Sequence, residues 1–311
     1  MKWPNSAIQL NGDKHESIAP HIISASRSTD IPAFYAKEFM ECLSKGYLFW
    51  TNPFNRKKIL VSLYNVKFIV FWTKNPAPLV PYLEQLDKLN IGYYFNFTLN
   101  NYEKDGFEEK LPLLPERINH FIELSEKIGK EKVIWRFDPI ILISGQEPED
   151  LLLRILQIAD KLQHYTEKLV ISFVDLKYHK VLQKLKKMNL LFKNLDNHEK
   201  QEFASNLYKT IKPYNLKLAS CACELDLSRY NIFPNKCIDD ELIEKISTDT
   251  ALIELIKQLR KSKKIKDKSQ RKHCLCMVSK DVGAYNSCRF SCIYCYAGHH
   301  TGNIYESGIF K

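Results

Sequence analysis

The sequence has no apolar run that approaches the length of a bilayer span, which argues against a helical membrane protein. Its first residues, Met1-Lys2-Trp3-Pro4-Asn5-Ser6, lead into polar sequence and lack the apolar core of a secretory signal. There is no internal repeat and no low-complexity tract, so solenoids and disordered arrays are not expected. Cysteine is nearly absent from the chain before residue 220, where Cys42 stands alone; the other eight of the nine come later. A disulfide framework in a small secreted domain would not look like this. Cys42, in a helical segment, reads as a packed thiol. Together these absences lead us to expect a soluble, cytoplasmic protein with no membrane partner.

What is present is enough for a sizeable core: 311 residues, 45% hydrophobic and 26% charged. The net charge of +10 favours acidic partners, nucleic acid first. An abundance of Lys, Ile and Asn produces the same sign with no partner at all.

Short β-branched or aromatic runs alternate with longer amphipathic ones from residue 20 to about 245. The runs predict strands at His21–Ser26, Lys67–Thr73, Gly92–Thr98, Lys132–Phe137, Lys168–Val174 and Lys217–Cys221. The amphipathic stretches predict helices at Ile31–Lys45, Leu79–Leu89, Leu113–Ile128, Glu149–Leu162, Glu199–Ile211 and Asp239–Ser247. Strand–helix alternation implies parallel β-α units with right-handed crossovers. The expected fold is therefore α/β, a partial TIM-like barrel of about six parallel β-α units followed by a cysteine-rich iron–sulfur tail. Trp50–Tyr64 would add a small hairpin. The expected divisions are a barrel over 1–247, a basic helix or linker over 248–272 and a cluster-binding tail over 273–311. Lys257–Lys272 carries nine Lys or Arg against one acid, Asp267, and reads as a linker, a solvated face or a phosphate-contacting patch.

Polar residues gather at the strand ends: Arg27 and Asp30 after the first, Lys74 after the second, Arg136 and Asp138 at the fourth. Active sites of parallel β-α folds lie at these carboxyl ends, where the loops converge. Arg136 and Asp138 flank Phe137 and so share a face, expected to point inward toward a polar ligand.

The richest chemistry lies in Cys288-x-x-x-Cys292-x-x-Cys295. Three thiolates on one short loop can hold three irons of a four-iron, four-sulfur (4Fe-4S) cluster and leave the fourth open for a small molecule. A structural zinc would need a fourth ligand, with His299, His300 or a distant cysteine available. Cys223, Cys237, Cys274 and Cys276 would close a second site, an auxiliary cluster or a zinc. Cys221, two residues from Cys223, could replace it.

Tyr285–Ala297 resembles the cluster motif of the radical S-adenosylmethionine superfamily, and its Cys-x-Tyr-Cys-Tyr-Ala ending resembles the branch that includes spore photoproduct lyase, a DNA-repair enzyme. More of the chain is similar to an uncharacterised domain-of-unknown-function family, through Ile23–Pro32, Trp72–Pro76, Arg136–Pro139, Cys223-Glu224 and Cys274–Ala297. The superfamily resemblance implies an enzyme in which Cys288, Cys292 and Cys295 bind the 4Fe-4S cluster and S-adenosylmethionine chelates its open iron. It further implies that Arg27, Lys74 or Arg136 meets the cofactor carboxylate. Asp138 or Asp30 would then bond its ribose hydroxyls or amino group. A reductant such as flavodoxin or ferredoxin would supply electrons, and nucleic acid is the expected substrate. In that superfamily the triad usually follows the first strand, whereas here it follows six predicted units. Either the tail folds back over the barrel mouth, or Cys276–Val282 is the true first strand of a permuted order. No Gly-Gly-Glu motif is present. Two other readings stand beside this one: a zinc-stapled nucleic-acid-binding protein without catalysis, and an iron–sulfur electron-transfer protein.

Overall fold

The structure, a computed structural model, describes residues 4–143, 145–175, 178–188, 192–298 and 308–310; His299 and His300 lie outside them. Its described strands are β1 (Asn5–Leu10), β2 (Asp13–Ile18), β3 (Ile22–Ala25), β4 (Tyr47–Thr51), β5 (Lys58–Ser62), β6 (Phe68–Thr73), β7 (Gly92–Thr98), β8 (Val133–Ile140), β9 (Leu142–Ile143), β10 (Lys168–Phe173), β11 (Phe192–Lys193), β12 (Lys217–Ser220), β13 (Ile232–Pro234) and β14 (Lys280–Asp281). The described helices are α1 (Ile31–Phe34), α2 (Ala36–Lys45), α3 (Leu83–Lys88), α4 (Leu114–Ile128), α5 (Pro148–Leu162), α6 (His179–Lys187), α7 (Asn197–Ile211), α8 (Asp240–Ile246) and α9 (Thr250–Lys261).

Eight strands form one parallel sheet in the order β13-β12-β10-β8-β7-β6-β3-β14. With helices between the strands, this mixed α/β architecture fits a partial α/β barrel. All six expected strands are present, and the count of six is corrected to eight by β13 and β14. Those two strands have three and two residues, too few for a hydrophobic period to register. Helix α6 was also not expected, and the predicted Ile31–Lys45 helix is broken at Tyr35 into α1 and α2.

Local chemistry explains the helix starts. Asp196 accepts the Glu199 N–H and Glu199 answers at the Asp196 N–H, opening α7 with a capping box. Glu147 and Asp150 do the same for α5, with Pro148 in the first turn. A second sheet, β1-β2-β5-β4, contains the expected hairpin as β4–β5. Its β1–β2 hairpin turns at Asn11-Gly12, both left-handed in φ, as a two-residue hairpin requires.

Strands β3, β6, β7, β8, β10 and β12 of the large sheet alternate between two buried cores. Ile23, Phe71, Phe95, Trp135, Ile171 and Leu218 face the core that holds α2, α4, α5 and α7. Their neighbours Ile22, Val70, Tyr94, Ile134, Val170 and Ala219 face a second core. That inner core is filled by Ile243 of α8, by Leu252 and Ile256 of α9, and by Cys237, Cys274, Cys276 and Met277. The stretch expected as a basic helix or linker therefore contributes to the interior. No described helix is long and apolar enough to cross a membrane.

Candidate functional site

The inner face changes character along the strands. Its amino-terminal half is apolar, but toward the carboxyl ends it presents Ser24, Trp72, Asn96, Arg136, Asp138 and Ser172. Trp72 lies between two guanidinium groups, with Arg27 at 5.4 Å and Arg136 at 5.1 Å from its ring. Arg136 and Asp138 share a face as expected, but there they pair with one another, and Asp138 also accepts the Ser172 hydroxyl. Burial alone would raise the Asp138 carboxyl; the Arg136 charge outweighs it and holds it below the ordinary range.

The triad loop reaches this end of the sheet by way of β14. That two-residue strand pairs with β3, Lys280 opposite Ile23 and Asp281 opposite Ser24. Its side chains dock it on both sides. The Asp281 carboxylate accepts the Ser24 hydroxyl at 2.9 Å, the Ser26 hydroxyl at 2.8 Å and the Arg27 N–H at 2.9 Å. Lys280 lies over the Trp50 ring of β4, and burial lowers its ammonium to about 7. Trp50 then donates to the Gly283 carbonyl. Next along the loop, the Ala284 N–H donates to the Thr29 hydroxyl, which approaches Ser287 Oγ at 2.6 Å. Tyr35 donates to the Ser287 carbonyl. Most of the Ser26–Thr29 turn is thus engaged in receiving the cysteine loop.

The three thiols then enter one apolar pocket with Ala33, Phe34, Leu111, Phe290 and Tyr294. Burial pushes the Cys292 thiol up to about 12, with the Lys74 charge opposing it. Burial raises Cys288 too, and the nearby Asp30, Cys292 and Cys295 charges add to the shift. Gathering three thiolates in an apolar pocket is costly unless something positive joins them. Among the described residues no three His, Cys, Asp or Glu form a ready-made metal site. A four-iron cluster takes each thiolate on a different iron, so its ligands ring a space instead of meeting at a point.

Tyr294, between Cys292 and Cys295, ties the loop to the barrel through a buried charged network. Its hydroxyl is hydrogen-bonded to the Glu108 carboxylate and receives bonds from Lys74 Nζ at 2.8 Å and Asn100 Nδ2 at 3.0 Å. Lys74 also reaches Glu108 at 2.7 Å, and Arg117 lies 3.6 Å from the other carboxylate oxygen. Glu108 and Arg117 are both 0% exposed. Burial would raise Glu108, but the Lys74 and Arg117 charges hold it below its ordinary range.

The expected cofactor-binding residues therefore divide. Lys74 is engaged with Glu108 and Tyr294. Asp30 caps α1 through the Ala33 N–H and accepts the Thr73 hydroxyl and the Lys74 N–H; burial raises it to about 7. Arg136 is held by Asp138 and Cys237. Arg27 differs: its Nη1 lies 3.6 Å from Asp281, while its buried Nη2 has no hydrogen-bond partner. Glu108, Asn100 and Asp281 escaped sequence reasoning, since each is an ordinary polar residue until the loop is folded against it. The aromatic before the third cysteine was the one visible signal of this docking.

The second cysteine set is also regrouped. Cys237, Cys274 and Cys276 lie together, but Cys221, not Cys223, joins them: Cys221 Sγ is 3.3 Å from Cys237 Sγ. Period-two alternation ends with β12 at Ser220, and Ala222 has a left-handed φ of 49°. The chain turns there, and Cys223 packs against the helix-side core instead.

No curated protein matches the chain. A crystal structure from Bacteroides thetaiotaomicron, described as a candidate alpha-L-fucosidase, is 10% identical with a TM-score of 0.28, covering 78% of this chain and 84% of that one. The family model described as "Domain of unknown function (DUF1848)" matches residues 22–297, and the chain belongs to that family.

Proposed function

We propose that this protein is a radical S-adenosylmethionine enzyme whose 4Fe-4S cluster is held by Cys288, Cys292 and Cys295. The observation that carries the reading is the place of the cysteine loop in space. β14 joins the sheet beside β3, so the loop leaves the first strand of the spatial order, β14-β3-β6-β7-β8-β10-β12-β13, although it comes last in the chain. The permuted order weighed from the sequence agrees with this arrangement. When bound and reduced, the cluster supplies the electron that splits S-adenosylmethionine into methionine and a 5′-deoxyadenosyl radical.

The chain's own residues prepare the site. Tyr294, Lys74 and Glu108 fix the loop; Phe34, Leu111 and Phe290 pack beside the three cysteines and bury Cys292. Arg27, whose buried Nη2 has no hydrogen-bond partner, is suited to a cofactor carboxylate. Asp138, held ionised by Arg136, is suited to ribose hydroxyls or an amino group. A flavodoxin or ferredoxin is the proposed reductant. Nucleic acid is the proposed substrate, supported by the exposed Lys261, Lys263, Lys264 and Lys268.

The test is anaerobic purification, iron and sulfide analysis, and reduction in the presence of S-adenosylmethionine. We expect brown protein that releases 5′-deoxyadenosine, and no release from Cys292→Ala. Colourless, iron-free protein would overturn the reading, as would a cluster that yields no deoxyadenosine.

A further inference from the structure

We propose that Cys221, Cys237, Cys274 and Cys276 form a closed, four-thiolate site for a single zinc ion that clasps the two edges of the barrel sheet together. The four belong to separate segments that meet on the inner face. Cys221 follows β12, Cys237 follows β13, and Cys274 and Cys276 lead into β14 at the opposite edge. Their sulfurs make a string: Cys221 to Cys237 at 3.3 Å, then Cys237 to Cys276 and Cys276 to Cys274.

A second observation points to metal-bound thiolates, independently of the clustering. The two middle sulfurs are surrounded by donors. Cys237 Sγ accepts from Arg136 Nη1 at 3.0 Å and Asn235 Nδ2 at 3.1 Å. Cys276 Sγ accepts the Cys237 N–H at 3.3 Å and the Ile238 N–H at 3.4 Å. A neutral thiol is a weak acceptor and gains little from two N–H groups; a thiolate gains a charge-assisted bond from each. Cys237 and Cys276 are 3% and 2% exposed, so unpaired thiolates there would be costly, and a divalent cation offsets that cost.

The one sulfur spacing at hand, 3.3 Å between Cys221 and Cys237, favours the metal with the shorter ligand separation. Zinc with four sulfurs at about 2.3 Å holds them just under 4 Å apart. An iron–sulfur cluster puts iron and sulfide between its ligands and separates them further. The sulfurs stand in a string, not a ready-made metal site, so the ion would have to draw Cys221 and Cys274 inward. The backbone is already joined at this seam, with the Met277 N–H donating to the Ile238 carbonyl at 3.0 Å. Zinc here would lock β14, and with it the triad loop, against β12 and β13.

The test uses the full chain with Cys288, Cys292 and Cys295 all changed to Ala, so the outcome is independent of the triad's cluster. We expect about one zinc per chain and no acid-labile sulfide. Adding Cys221→Ser or Cys276→Ser should remove the zinc, while Cys223→Ser should leave it. Should those serine variants fail to fold, cobalt substitution of the triple-alanine protein gives a second readout. Four-thiolate tetrahedral cobalt shows strong thiolate charge-transfer and visible ligand-field absorption. Protein with no zinc and no such cobalt spectrum, a Cys221–Cys237 disulfide, retained sulfide, or zinc that depends on Cys223 but not Cys221 would each overturn the proposal.

Discussion

At the scale of single residues, the charges around the triad loop divide into those spent on folding and those left for a ligand. Glu108 is the pivot, since one fully buried carboxylate answers Lys74, Arg117, Asn100 and Tyr294. Removing one member of a buried charged set leaves the others uncompensated and costs about 3–5 kcal/mol. Glu108→Ala should lower the free energy of unfolding in denaturant by that order. A loss below about 1 kcal/mol would mean that Lys74 and Arg117 reach solvent. None of this is legible from Gly106-Phe107-Glu108-Glu109, where two adjacent glutamates look alike. Glu109 stays exposed and only Glu108 turns inward. Lys74 and Asp30 were recognisable as strand-end polar residues, but their partners lie far along the chain. The same holds for Cys221 and Cys223, which alternation would place on one face and which one left-handed residue, Ala222, sends to different cores.

At the scale of elements, the shortest strand of the large sheet has the largest consequence. β14 offers two residues to β3, so its docking depends on side chains and on the turn that follows. Gly283 lies in that turn, where a Cβ would meet Ser26 Oγ at 1.8 Å and Ser28 Oγ at 2.5 Å. These serines are tied to Asp281 and to each other, so neither can yield cheaply. Gly283→Ala should free the β14 edge, speeding amide exchange at Arg27, Val282 and Ala284 while α4 and α5 stay protected. Unchanged exchange at those three amides would show that the serines move aside. The long strands needed no such help. β6, β7 and β8 were visible as apolar runs because strands buried on both faces are almost continuously hydrophobic.

For the whole molecule, the positive charge is partly absorbed at home. Arg260 binds Asp240 and Glu244 of α8, Lys257 lies near Glu244, and Arg271 near Asp175. In this stretch the exposed Lys261, Lys263, Lys264 and Lys268 stay available to a polyanion. If nucleic acid is the substrate, its affinity should fall steeply with salt, by about 0.9 in log–log slope per phosphate neutralised on duplex DNA. Changing Lys263, Lys264 and Lys268 to Gln should flatten that slope; a salt-insensitive affinity would exclude this surface. The sequence by itself determined the parallel α/β class, the presence of six strands, the shared face of Arg136 and Asp138 and the cysteine spacing, because periodicity and ligand spacing are properties of a short stretch of chain. Only the tertiary structure decided that the last strand lies beside β3, that Cys221 joins the second thiol group, and that Lys74 and Asp30 are engaged in holding loops. Those outcomes depend on contacts such as Asp281 with Ser24, 257 residues apart in sequence, and no local pattern encodes a partner at that distance.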